Sequence, residues 1–124
     1  MKDNFWIVIG GIFGFTAVAL GAFGAHSLRD VLNKEMLEIY KTGVLYHLIH
    51  SVIIASIGLL GKAKYNLAGW FLSIGIILFS GSLYVYSIST IKIFAMITPI
   101  GGISFLIGWS LIIISALKKK LKFT

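Results

Sequence analysis

Residues 45–54 read LYHLIHSVII, with two histidines three positions apart in an otherwise apolar run. On a helix advancing about 100° per residue, Tyr40, Gly43, His47, His50, Ser51, Ile54 and Gly58 share one broad face. Leu45, Leu48, Ile49, Val52, Leu59 and Leu60 take the other side. One face is small and polar and the other aliphatic, which is the pattern of a helix that packs inward on protein and outward on lipid.

The rest of the chain carries the same signature. It has 124 residues, 58% hydrophobic and 12% charged, with a mean hydropathy of +0.98. A soluble domain of this size needs more polar surface. The charges cluster and leave apolar runs longer than about 18 residues, the signal of membrane-spanning helices. Spans are predicted at residues 5–25, 44–61, 67–91 and 94–117. At about 1.5 Å per residue each reaches across a hydrocarbon core of about 30 Å, the second being the tightest fit, and it can begin earlier, near Met36. The predicted class is all-α: one integral membrane four-helix bundle occupying residues 1–124.

The formal charge is +7 and there are no cysteines. The basic residues sit at the ends of apolar runs and form no stripe interleaved with exposed aromatics, so nucleic acid is not the expected partner. Disulfides, thiol catalysis and thiolate metal sites are excluded. Ala22-Phe23-Gly24 resembles a small-x-small cleavage site, but the apolar run exceeds the about 7–15 residues of a secretory signal core, so the first span is expected to stay.

Four spans put both ends of the chain on one side. Lys2, Lys62, Lys64, Lys118, Lys119, Lys120 and Lys122 share it, against Arg29, Lys34, Lys41 and Lys92 on the other, where Asp30, Glu35 and Glu38 offset them. The bias of basic residues toward the cytoplasm then predicts cytoplasmic termini. Trp6, Tyr65, Trp70 and Phe123 fall near that boundary, and Trp109, deeper in span four, reads as packing. In the connection from His26 to Thr42, Ser27-Leu28-Arg29-Asp30 matches a capping box, predicting a short amphipathic outer helix with Leu28, Val31 and Leu32 on its apolar side.

In lipid, helices associate through close packing of small residues rather than by escaping water. Span one supplies Gly10, Gly14, Ala17, Gly21 and Gly24 along one face. Span three offers Gly69, Ser73, Ser80, Tyr84 and Ser87, and span four Gly101, Ser104, Gly108 and Ser115. Pro99 either interrupts a helix begun at Phe94 or takes the first helical position behind a Thr98 cap; the second arrangement loses no hydrogen bond and is the expected one.

His26 should lie at a depth similar to His47 and His50, so a cluster of all three is possible. As metal ligands they would need partners such as Asp30, Glu35 or Glu38, and His-x-x-His alone is a weak signal. Haem has no other mark. A proton-linked role follows from histidine's titration near neutrality, but no Asp, Glu, Lys or Arg lies deep in a span, where ion pathways usually carry them. No catalytic triad can be assembled. The expected state of the histidines is therefore neutral and hydrogen-bonded to neighbouring helices, with no metal and no cofactor.

Four motifs occur in order: Gly21-Ala-Phe-Gly-Ala-His26, Tyr46 to His50, Phe79-Ser-Gly-Ser-Leu-Tyr84, and Thr98-Pro-Ile-Gly-Gly102 followed by Phe105 and Gly108-Trp109. Together, and over nearly the whole chain, they resemble the small membrane protein family called domain of unknown function 423, or uncharacterised protein family 0382. The resemblance implies a multi-pass protein of the bacterial cell membrane with no assigned activity. In the family pattern it implies, His26 and His50 match motif positions and position 47 is often Gln, which ranks His50 ahead of His47. The expected function is a non-enzymatic accessory or structural membrane component in contact with the lipid bilayer, with a homo-oligomer or a membrane protein as further partner. The alternative is a small oligomeric transporter or pore for a cation or small solute using the polar helix stripe around His50; the polar bundle positions are His26, His50, Ser80 and Tyr84.

Overall fold

The computed structural model describes residues 4–122. Lys2 and Phe123 lie outside the described residues, as do the side chains of Lys119, Lys120 and Lys122. The described chain is helical, without strands: α1 (Phe5–Ser27), α2 (Lys34–Leu60), a 3-10 turn (Ala63–Tyr65), α3 (Asn66–Gly75), a π-helical segment (Ile76–Ser80), α4 (Gly81–Ser89) and α5 (Lys92–Lys122). The 3-10 turn, α3, the π segment and α4 run on as one span, giving four helices long and apolar enough to cross a membrane.

The spans pack as two antiparallel hairpins. In the first, Gly10 faces Ala55, Gly14 faces Ser51, Gly21 faces Val44, Gly24 faces Tyr40, and Ile7 faces Gly58. That register is continuous from one end of the helices to the other, so the small residues of α1 set how closely α2 approaches. A Cβ at Gly10 would stand 2.7 Å from the Ala55 Cα, closer than backbone can tolerate. In the second hairpin, Gly101 lies on the backbone of Leu78 and Phe79, Gly75 on the Phe105 ring, and Gly108 on Leu72. Ser104 Oγ donates to the Phe71 carbonyl at 2.7 Å and Ser115 Oγ to the Lys64 carbonyl at 3.1 Å.

The hairpins join through α2 and the third span, while α1 and α5 form the flanks and share no packed face. Ser80 Oγ donates across this seam to the Gly43 carbonyl at 2.7 Å. Trp6, Ile54, Ile57, Ala68, Leu72, Ile76 and Phe105 form the apolar core. The α2 faces read from the sequence hold: Tyr40, Gly43, His47, His50, Ser51, Ile54 and Gly58 are buried, and Leu45, Leu48, Ile49, Val52, Leu59 and Leu60 are exposed.

Two expectations need correction, the outer helix and the helix start at Pro99, and two further features refine the reading, the early start of α2 and an irregular third span. Residues 28–33 form no outer helix: Val31 and Leu32 N–H both donate to the Leu28 carbonyl, a single turn, and Ser27 is the last residue of α1 rather than a cap. The cap is Asn33, whose side chain accepts from Met36 N at 2.8 Å, so α2 starts at Lys34, close to the earlier start near Met36, and adds nearly three turns to the span from 44. The third span contains a π segment. Pro99 lies inside α5, which begins at Lys92. An apolar connection over residues 91–96 would leave backbone groups unpaired in hydrocarbon, whereas a helix running through Pro99 loses one bond.

At chain turns, Gly61 closes α2 with φ +70° and Thr90 closes α4 with φ 59°. The first is ordinary for glycine. The second is strained for a β-branched residue.

Candidate functional site

His47 and His50 are each 4% exposed, and each sits at the floor of a separate groove. Because α1 and the third span both lean on α2, a groove of about 270 Å³ runs between them over His47, Phe13, Thr16 and Tyr84. Because α2 and α5 both lean on the third span, a second groove of about 560 Å³ runs between them over His50, Phe79 and Phe105. The two share no lining residue.

The partners of each imidazole fix its tautomer. His50 Nδ1 lies 2.7 Å from the Tyr46 carbonyl, which only accepts, so Nδ1 carries the proton. His50 Nε2 receives the indole N–H of Trp109 at 3.1 Å and therefore carries a lone pair. The ring stacks on Phe105 with centroids 3.7 Å apart and planes 10° apart. His50 thus ties α2 to α5 as a neutral imidazole with both nitrogens in use.

His47 is the opposite case. Thr16 Oγ1 donates its proton to the Phe13 carbonyl at 2.9 Å, so toward His47 Nε2, 3.1 Å away, it accepts. Nε2 therefore carries the proton, and Nδ1 accepts from the Tyr84 hydroxyl at 2.8 Å. A line of donors runs from Tyr84 through His47 and Thr16 to a backbone carbonyl, joining α4, α2 and α1. Tyr84 also stands against the ring of Tyr40 at 5.2 Å, and Tyr40 OH donates to the Leu20 carbonyl at 2.6 Å.

His26 is exposed at the end of α1 and does not join the other two. Among the described residues no three His, Cys, Asp or Glu side chains come together in a way that would hold a metal ion, so the candidate cluster of His26, His47 and His50 is not formed. Asp30 and Glu38 are exposed. The helix reading explains why: His47 and His50 point into the packed face of α2, and His26 lies past the last buried position of α1, Gly24.

Four side chains take part in ways the sequence reading did not assign. Trp109 packs as expected but also supplies the donor that fixes His50. Thr16, not among the residues read for the packing face of span one, orients His47. Ser82 and Thr98 hydroxyls meet at 2.5 Å beside Pro99, a bond whose signal would have been two hydroxyls facing across the second hairpin.

Residues 20–102 match the family model described as "Protein of unknown function (DUF423)". The chain belongs to the DUF423 family. It is 41% identical over 118 residues to the UPF0382 membrane protein YwdK of Bacillus subtilis strain 168, covering 91% of this chain and 96% of that one. It is 38% identical over 128 residues to the UPF0382 inner membrane protein YgdD of Escherichia coli K12, covering 98% and 96%. A UPF0382 membrane protein of Staphylococcus epidermidis is 40% identical over 116 residues, covering 91% and 95%. No solved structure matches. The DUF423 motifs quoted from the sequence converge in space: Tyr46 and His50 from the second, Phe79 from the third and Pro99 from the fourth line the larger groove. The chain is accordingly a multi-pass membrane protein in contact with the bilayer.

Proposed function

We propose that this DUF423 protein is a non-enzymatic accessory or structural component of the bacterial cell membrane, a single transmembrane unit with both termini in the cytoplasm. The observation that carries this reading is the polar bookkeeping. Among the described residues no buried side-chain nitrogen or oxygen lacks a hydrogen-bond partner, and the partners lie within the chain. His47, His50, Tyr84, Ser80, Ser104 and Ser115 are spent on joining helices, and Ser51, Ser73 and Ser87 bond back within their own, so among the described residues the buried polar side chains are committed rather than poised to take a proton from a substrate or to pass an ion. Such a protein works through its surfaces, toward lipid, toward a second copy or toward a neighbouring membrane protein. The orientation is supported by Lys62, Lys64 and Lys118 at the end that holds Trp6, Tyr65 and Trp70, opposite the end that holds Asp30, Glu35 and Glu38.

The second reading, a small oligomeric transporter or pore for a cation or small solute, draws on one observation: His50 lies under the larger, laterally open groove. Vesicles reconstituted with the purified full chain separate the two. Under imposed gradients of protons, potassium ions and divalent metal ions, the first reading expects leakage equal to protein-free vesicles. Discharge that disappears in His50→Ala would overturn it and establish the second.

A further inference from the structure

The larger groove lies at a definite depth. Pro99 is seven residues into α5, about 10 Å from its start, and Trp109 is seventeen residues in, about 25 Å. Its floor therefore sits within the hydrocarbon layer of a bilayer about 30 Å thick. Its rims are Leu45 and Ile49 on α2 and Ile103 and Leu106 on α5, all exposed, so it opens sideways to the membrane.

We infer that this groove is a seat for one hydrocarbon chain of a membrane phospholipid. An apolar space of about 560 Å³ inside the membrane has three possible occupants, and two do not fit. Water needs two to four polar partners per molecule. Both His50 nitrogens and the Trp109 N–H are already committed, and the Tyr46 hydroxyl alone does not hold a water cluster. A helix from a second copy is about 10 Å across, so its backbone stays outside and only side chains reach in, which caps the groove rather than filling it along its floor. An extended acyl chain has the right thickness, brings no polar group, and enters through the open side. The faces of Phe79, Phe105 and Tyr46 give it dispersion contacts along its length. The His50–Trp109 bond keeps the floor apolar by turning the indole N–H inward. This seat stands independently of the accessory reading and is compatible with transport elsewhere on the surface.

Gly102 offers the means to close it. A Cβ there meets only the Phe79 ring, at 3.8 Å, so a larger side chain enters the groove without striking backbone. Leu106 is 67% exposed on the rim, and Leu106→Phe folds over the same space. Ile113→Phe, 59% exposed on α5 outside the groove, is the control. Each full-length protein is exchanged into detergent with dioleoyl phosphatidylcholine and examined by native mass spectrometry. One phospholipid per chain is expected on the wild type and on Ile113→Phe, and its loss is expected in Gly102→Leu and Leu106→Phe. If Gly102→Leu does not fold, Leu106→Phe carries the comparison. Equal retention by all the proteins, retention by none, or a second copy of the chain held in place of the lipid would overturn the inference.

Discussion

The indole N–H of Trp109 donates to His50 Nε2 at 3.1 Å while His50 Nδ1 donates to the Tyr46 carbonyl at 2.7 Å. One imidazole thereby closes two obligations, one within α2 and one across to α5. A double-mutant cycle of His50→Ala and Trp109→Phe, read from reversible unfolding in detergent, should show a coupling of about 0.6 kcal/mol, the average for interhelical hydrogen bonds in membranes, and no more than about 1.7 kcal/mol. Additive single effects would mean that the bond contributes nothing.

His47 uses one acceptor, toward Tyr84, and one donor, toward Thr16. A carboxamide offers the same pair. His47→Gln should therefore cost less stability than His47→Leu, which strands the Tyr84 hydroxyl, by about 1 kcal/mol or more. Equal losses in the same unfolding assay would show that the line of donors is not what His47 is held for.

The glycines of α1 differ sharply in what surrounds them. Gly10→Val drives a side chain into the Ala55 backbone and should cost about 1–3 kcal/mol or prevent α1 from docking. Gly14 has only the Ser51 Cβ nearby, at 3.8 Å, and Gly11 has nothing within 4 Å. Gly14→Ala and Gly11→Ala should be neutral or stabilising, since alanine is favoured over glycine in a helix by about 1 kcal/mol. Thermal unfolding of the three variants in one detergent checks the order.

Much of this was legible beforehand. The period of α2 assigned the residues named for its two faces to their sides, because a regular helix in lipid sorts small and polar groups from aliphatic ones; the buried Ile57 was not among them. The glycine stripe of α1 marked its packing face, though not that α2 is the helix it meets. What the pattern could not show were the places where the backbone departs from regularity. The π segment at Ile76–Ser80 inserts a residue without changing hydropathy. Pro99 reads as a helix start by the rules of water, yet the membrane's penalty for unpaired backbone keeps it inside α5. Trp109 and Thr16 were invisible as partners because their targets lie 59 and 31 residues away, and spacing along one helix does not reveal the facing one.

Thr90 closes α4 with φ 59° and ψ 17°, a left-handed conformation that costs a side-chain-bearing residue about 1–2 kcal/mol. Thr90→Gly should relieve that strain, and after the extra unfolded-state freedom of glycine, about 0.5–1 kcal/mol, the protein should gain up to about 1.5 kcal/mol. A lower midpoint for Thr90→Gly than for wild type would show that the threonine contributes more through its hydroxyl bond to the Ser89 carbonyl than the backbone loses.

The claim on which the account rests is that the two membrane histidines are committed structural links, each held in one tautomer by its neighbours. Imidazole ¹⁵N spectra of the histidine-labelled protein in bilayers at neutral pH, assigned with His47→Gln, read this directly. The account predicts His50 protonated at Nδ1 and bare at Nε2, with His47 the reverse. An imidazolium signal from either residue, or one ring exchanging between tautomers, would contradict it.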